Sequence, residues 1–355
     1  MLKRQVWRIG KAGSLDRLVL QSDQLAAPGA GEVRVAVTAV GLNFADVFAC
    51  LGLYSATPAG PFVPGLEFAG IVEEVGVDVE GLPAGTKVIG LTRFGAYATH
   101  LNVSSALLRR LPDGWTPAQG AAYPVQAITA WYAIRDLGAC QPGSAVLVHS
   151  AAGGVGLNAL AILKAIGATV VATVGSEGKV PFLVTHAGLR ADQIIVRDRR
   201  RFAAQLDAAL RAIGADRFDL ILDAVAGPYF APAYQRLGPA GRLVIFGAAD
   251  MMPSGVRPNW MRLASRYLLR PRVDPIQMIS DNKSVMGFNL IWLWDRADRL
   301  GATYDQLAAV IQRPPHIGRR YRFADAPAAM RYLQGGGSVG KVVLDVRPDD
   351  ERRAI

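Results

Sequence analysis

The stretch Ser144-Ala-Val-Leu-Val-His-Ser-Ala-Ala-Gly-Gly-Val-Gly156 constrains this chain more than any other. Ala145 to Val148 is an apolar run of the kind that forms a buried strand. A turn of small residues follows, and Leu157 to Ile166 has the pattern of a helix. Within the turn, Ala151-x-Gly153-x-x-Gly156 is a dinucleotide-binding fingerprint with Ala in its first position. Small residues let the backbone of Ala152, Gly153, Gly154, Val155 and Gly156 approach a pyrophosphate at a helix N-terminus. Alone, the pattern also fits a tight structural turn. Here a strand precedes it, a helix follows, and a second apolar strand spans Thr169 to Val174.

The chain beyond about residue 125 alternates in the same way. Strands are expected at 145–149, 169–174, 193–196, 218–223 and 241–246. Helices are expected at 127–137, 155–166, 179–187, 201–213 and 229–237, and Ser284 to Leu290 reads as a sixth strand. Such alternation implies an α/β Rossmann fold, a doubly wound parallel sheet. Residues 1–124 differ: Val33–Val40, Ala69–Val75, Val88–Leu91 and Ala96–His100 are short strand-like runs amid many Gly and Pro. A compact barrel-like domain follows from that punctuation. The tail offers helices near 292–312 and 326–334 and strands at 317–323 and 341–346. It is expected to return to the first domain. That domain is then discontinuous, 1–124 plus 292–355, around a nucleotide-binding domain at 125–291.

Composition removes several classes. No run of about 18 uncharged apolar residues exists, so no transmembrane helix is expected. The start, Met1-Leu-Lys-Arg-Gln5, lacks the apolar core of an export signal, and a cytoplasmic location is the expectation. Only Cys50 and Cys140 occur, which excludes a disulfide scaffold and a four-cysteine zinc lobe. The net charge of +10 is compatible with anionic ligands or with a general arginine bias. No aromatic-interleaved basic run points to nucleic acid.

Several motifs fall in one order: Ala39-Val-Gly-Leu-Asn-Phe-Ala-Asp46, Gly52-Leu-Tyr-Ser55, Pro64-Gly-Leu-Glu-Phe-Ala-Gly-Ile-Val72, Thr129-Ala-Trp131, the fingerprint, and Val339-Gly-Lys-Val-Val-Leu344. This order resembles the medium-chain dehydrogenase/reductase superfamily. Within it, the chain is similar to the zinc-free quinone oxidoreductases of the zeta-crystallin type, in the branch related to the vesicle amine transport protein homologue. The resemblance spans nearly the whole chain. It implies a GroES-like β-barrel catalytic domain split around a Rossmann domain, and a homodimer.

Zinc-dependent members of that superfamily have a Cys near position 43 and a His before the Glu of a Gly-His-Glu motif. Asn43 and Leu66 occupy those places, and neither is a sound zinc ligand. The four histidines, His100, His149, His186 and His316, are isolated and read as core or surface residues. No metal is expected. Without a Lewis acid, the acceptor must already be electrophilic: a quinone, or an alkene conjugated to a carbonyl. An enoyl-thioester or 2-alkenal reductase is the neighbouring alternative. A weakly active nucleotide-binding protein that associates with lipid is a third.

For the cofactor, NAD sites place an acid at the tip of the second strand. That strand ends here at Val174-Gly175, and Ser176 and Lys179 follow, which suit the 2′-phosphate of NADPH. Glu177 competes as a ribose ligand. Arg197 stands where related reductases often have Tyr against the adenine; it stacks there, pairs with the phosphate, or is a solvated residue of the run Arg197–Arg201. The resemblance puts Asn43, Asp46 and Tyr54 near the nicotinamide. Asn43 holds the ribose or a substrate oxygen, Tyr54 closes over the ring as a hydrogen-bond donor, and Asp46 organises the loop. A turn-and-cap role for the Asn–Asp pair is the plainer alternative. Thr129 matches the family threonine that faces the nicotinamide, and Gln126 stands where relatives often have Asn. Phe246, Gly247 and Ala248 supply backbone to the carboxamide, and Lys341 either approaches the cofactor or opens an exposed strand. Finally, Met251–Lys283 exceeds a minimal link. Its Arg262, Arg266 and Arg270 share one face if helical, forming a lid, a surface for acidic lipid, or a solvated flank.

Overall fold

Two sheets carry the fold of the computed structural model, which describes residues 1–294 and 297–346. The expected tail residues 347–355 lie outside the described residues. The chain begins with an antiparallel hairpin, β1 (Leu2–Ile9) and β2 (Leu18–Leu25). Five strands follow: β3 (Glu32–Gly41), β4 (Glu67–Val75), β5 (Lys87–Leu91), β6 (His100–Ser104) and β7 (Leu108–Arg110). The nucleotide-domain strands are β8 (Ala145–Val148), β9 (Thr169–Val174), β10 (Ile194–Val196), β11 (Phe218–Asp223), β12 (Leu237–Ile245) and β13 (Ser284–Gly287). These six form a parallel sheet in the order β10-β9-β8-β11-β12-β13. The last strands, β14 (Ile317–Arg322) and β15 (Lys341–Asp345), return to the first sheet, where β15 pairs with β3. Its order is β14-β15-β3-β4-β5-β7, and β6 pairs with the first half of β3, on the edge that β15 takes further along.

Eleven helices are described, beginning with α1 (Phe44–Cys50), α2 (Pro117–Ala121), α3 (Pro124–Trp131) and α4 (Gly154–Ile166). Around the parallel sheet run α5 (Val180–Ala187), α6 (Phe202–Ala212) and α7 (Phe230–Gln235). The insertion supplies α8 (Trp260–Leu268) and α9 (Pro275–Asp281), and the tail supplies α10 (Ala297–Val310) and α11 (Ala326–Gln334). No helix of the described residues is long and apolar enough to cross a membrane.

The sheet order reverses between β8 and β11, and a crevice opens there at the strands' C-terminal ends. One apolar core covers one sheet face, where Leu160, Ile162 and Leu163 of α4 meet Val146, Val148 and Ala172. It continues through α2 and α3 into Leu66, Ala69 and Ile89 of the first sheet. The other face packs Phe202, Leu206 and Leu210 of α6 against Leu147, Val171 and Ile221. The two halves of the molecule therefore share an apolar seam at α3, the helix that faces the crevice.

Three expectations shift. Ala96–His100 is not a strand: Ala96 and Tyr97 donate to the carbonyls of Gly65 and Pro64, only Ala98 bridges to Val6, and pairing with β3 starts at His100. The helix expected at 127–137 starts earlier, at Pro124, and relaxes into a wider π-helical turn over Tyr132–Leu137. Proline suits a first helical position because its missing N–H is not needed there. The segment 251–283 contains two helices rather than one continuous face.

Candidate active site

The fingerprint turn is shaped by steric exclusion. Ser150 leaves β8 with φ +53, an uncommon conformation for a residue with a side chain. Gly153 then caps α4. A Cβ on Gly156 would lie 2.6 Å from Ala151 Cα, and one on Gly154 would lie 1.5 Å from Gln126 Oε1. Only glycine allows α4 to sit this close to β8 and leaves room for Gln126. The turn is pinned from the tail: Gly340 N–H donates to Ala152 O at 2.8 Å. Ala152, Gly153, Gly154, Val155 and Gly156 all line the crevice, with their helix N-terminus facing it.

At the β9 end, two cations converge. The Lys179 ammonium donates to the carbonyls of Gly336 (2.7 Å) and Ser338 (3.0 Å). Arg197 donates to Thr173 Oγ1 at 2.9 Å and lies 5.5 Å from the Tyr229 ring centre. Burial and the neighbouring Arg197 hold Lys179 below the usual lysine range, and burial also lowers Arg197. A phosphate between them would offset that mutual repulsion. Asp250 is the one acid among the described lining residues, beside Lys179, Arg197 and Arg331. Ser176 and Glu177 are exposed at the strand tip and do not line the crevice. A charged, glycine-floored crevice of this kind fits a dinucleotide.

His149, which the sequence reading leaves as a plain histidine, belongs to the same floor. Burial lowers it to about 4, so the ring is neutral. Thr173 Oγ1 accepts from Arg197 and contacts His149 Nδ1 at 3.2 Å. If Thr173 donates in that contact, the ring proton sits on Nε2, which has no protein partner.

A buried polar cluster holds the opposite end. Glu67, at the start of β4, is fully buried, and Lys341, at the start of β15, is 1% exposed. The Lys341 ammonium forms an ion pair with Glu67 and donates to Asn43 Oδ1 at 2.8 Å. Asn43 Nδ2 donates to Glu67 Oε1 at 2.8 Å. The second carboxylate oxygen, Oε2, accepts the Val125 N–H at 2.8 Å and so caps α3. Lys341 is therefore neither an exposed strand start nor a lining residue. It sits behind Asn43 and is committed there. Glu67 is a site residue absent from the sequence expectations, and its only local signal is its place directly after Leu66.

Asn43 also caps α1, its N–H donating to Asp46 Oδ2 at 2.8 Å. Both amide hydrogens are engaged, the second donating to Gly41 O at a long 3.4 Å, and Oδ1 keeps one free lone pair. The side chain can accept one more hydrogen bond but has no good donor left. Thr129 is similarly restricted, because its hydroxyl donates to Val125 O at 2.6 Å. Gln126 lies in the same wall with Oε1 unpartnered. Tyr54, which burial pushes up to about 12, keeps its proton and donates it to Asn289 Oδ1 at 2.7 Å. That bond spans the crevice, from the loop after α1 to the residue pair after β13, and sequence gave no signal for Asn289. Phe246 and Gly247 line the floor; Gly247 is packed against Ala224, where a Cβ would lie 2.7 Å from the carbonyl.

The arginines of the insertion do not form one face. Arg266 turns back to pair with Asp250, Arg262 stays exposed, and Arg270 lies beyond the end of α8, over the Tyr267 ring.

Asp46 supplies a pH test. Burial raises its carboxyl from 3.8 to about 7, against the opposing pull of the Asn43 amide and Lys341. Between those values the folded chain holds a proton that the unfolded chain releases, so this group makes stability fall as pH rises through the window. Asp46→Asn should remove that slope: denaturant titrations from pH 4 to 7 should show the variant gaining on the parent as pH rises. Parallel curves would mean that Asp46 is ionised in the fold.

Comparison with known proteins follows this geometry. Residues 29–113 match the family model described as an alcohol dehydrogenase GroES-like domain, and residues 189–344 match one described as a zinc-binding dehydrogenase. The human synaptic vesicle membrane protein VAT-1 homolog is 32% identical over 344 residues, covering 96% of this chain and 86% of that protein. A solved mycobacterial structure, complexed with NADPH, is 27% identical with a TM-score of 0.82, covering 96% of this chain and all of that one. A quinone oxidoreductase from Pseudomonas syringae is also 27% identical, with a TM-score of 0.81 over 97% of this chain and 100% of its own. The chain belongs to the medium-chain dehydrogenase/reductase superfamily of nicotinamide-dependent oxidoreductases, in the quinone oxidoreductase-like branch related to the VAT-1 homologue.

Proposed function

We propose that this protein is an NADPH-dependent reductase that passes a hydride to a quinone or an activated enone without a metal. The observation that carries the reading is the Lys341 ammonium held between Glu67 and Asn43. Zinc-dependent relatives place metal ligands at the positions of Asn43 and Leu66. Here the Asn43 amide is committed to protein partners, Leu66 is apolar, and the adjacent carboxylate is neutralised by a lysine. Such a corner has no ligand set for zinc.

Bound NADPH supplies the hydride. The chain's own groups hold and orient. The fingerprint turn and the α4 N-terminus receive the pyrophosphate. Lys179 and Arg197 take the 2′-phosphate, and Glu177, the acid at the β9 tip that would suit a free ribose 2′-hydroxyl, does not line the crevice. Asn43, left with one acceptor site, takes a ribose hydroxyl rather than a substrate oxyanion. Thr129 is likewise an acceptor at that wall. The donor for the developing oxyanion is Tyr54, whose proton exchanges Asn289 for the substrate oxygen. A donor aimed at forming charge is the largest contribution such a site makes. The reduced quinone or enolate spreads its charge and takes its proton from water, so buried Asp46 organises the loop and transfers nothing. The NADPH complex and the quinone oxidoreductase among the structural relatives support the same cofactor and acceptor class.

Two substitutions test this reading. Tyr54→Phe should lower kcat/KM for quinone reduction by about 100-fold, in the range of other lost oxyanion donors, while NADPH affinity holds. Unchanged steady-state kinetics would remove the donor role. Lys179→Glu should weaken NADPH by roughly 10- to 100-fold, as for a lost charged hydrogen bond, and leave NADH nearly untouched. Equal losses for both nucleotides, measured by fluorescence titration, would refute the phosphate assignment.

A further inference from the structure

The crevice spans about 1550 Å³ and has two unlike ends. Away from the fingerprint turn and its cations, an apolar stretch of the lining forms an arm from the Tyr54 loop to α8. Trp260, Leu263, Ala264 and Tyr267 recur at helical spacing on the side of α8 that lines it. Met251, Met252 and Pro253 line it from the preceding loop, and Phe48 and Leu53 line it from α1 and the turn after it. No lining residue between 251 and 267 is charged.

This arm is built and held open. Gln334 Nε2 donates to the carbonyls of Pro253 (2.8 Å) and Gly255 (2.9 Å), and Leu15 N–H donates to Val256 O (2.9 Å). The loop is thus fixed to the barrel side. Arg266 fixes α8 to the loop through Asp250. Within this frame Trp260 is 64% exposed and Tyr267 57% exposed. Large aromatic groups left facing solvent along a crevice mark a surface meant to be covered.

We infer that the arm binds an apolar tail, so that the acceptor is a quinone or enone bearing an alkyl or prenyl chain, with Trp260 and Tyr267 setting tail preference. The inference rests on the quinone or enone reading for the headgroup alone. A tail without hydrogen-bonding groups matches a lining without charge, and it is continuous with the place where Tyr54 meets the reacting oxygen. Each buried methylene strengthens binding by up to about fourfold.

The experiment uses the full chain with NADPH and benzoquinones of one ring type that carry no tail, a short alkyl tail or a long one. For the parent, kcat/KM should rise with tail length, by about tenfold or more overall. Trp260→Ser and Tyr267→Ser lie at exposed positions and should cancel most of that rise, while turnover of the tailless quinone stays unchanged. A flat series in the parent would overturn the inference, as would equal losses for tailed and tailless quinones. Calorimetry of the same series on the NADPH complex separates the two claims. If no quinone is reduced but affinity still climbs with tail length and falls in the two variants, the arm stands and the quinone reading falls. Affinity independent of the tail removes the arm, whatever the turnover.

Discussion

The site depends on one carboxylate. Glu67 sits fully buried between the two halves of the molecule, and each of its oxygens has a task. One oxygen takes the Lys341 ammonium and the Asn43 amide; the other takes the first free N–H of α3. Burying a charge is costly unless it is paired and its remaining lone pairs are satisfied. Here a strand start, a helix cap, a second helix N-terminus and the last strand meet in one arrangement that meets those terms. The same arrangement fixes Asn43 on one side of the crevice and α3, with Gln126 and Thr129, on the other. A protein-borne ammonium thus organises the corner where Asn43 and Leu66 stand. It also decides what the neighbouring side chains can still do, since Asn43 is left as an acceptor.

The cofactor end works by different physics. Its floor is steric: Gly154 and Gly156 stand where any side chain would collide with Gln126 or with the Ser150–Ala151 turn. Its walls are electrostatic, because burial depresses the charge of the half-buried Lys179 and Arg197, and Arg197 that of Lys179 too, in a way that an anion would offset. Between these ends the Tyr54–Asn289 bond closes the crevice, and the apolar arm leads away beneath α8.

Much of this architecture was legible from residues alone. The alternation of apolar runs and helical spacing located all six parallel strands, because a buried parallel strand has few other ways to look. The fingerprint was legible because glycine spacing directly records a close approach. The return of the tail to the first sheet followed from two late strand-like runs. What could not be read was pairing over long separations. Glu67 and Lys341 are 274 residues apart, and Tyr54 and Asn289 are 235 apart. Nothing local marks either pair. Periodicity failed at Ala96–Tyr97 for a related reason: their N–H groups are taken by a loop, which alternation cannot reveal. The arginines of the insertion had regular spacing, yet Asp250 and the end of α8 dispersed them.

A double-substitution cycle on the buried pair tests the central claim most directly. Glu67→Gln, Lys341→Met and the combination would be compared by kcat/KM for NADPH-dependent quinone reduction, with NADPH binding as the check on folding. If the pair acts as one unit that positions Asn43 and α3, the double variant should be no worse than the worse single one, a coupling of about 1–3 kcal/mol. Losses that simply add would show that the two charges act independently and would contradict this account.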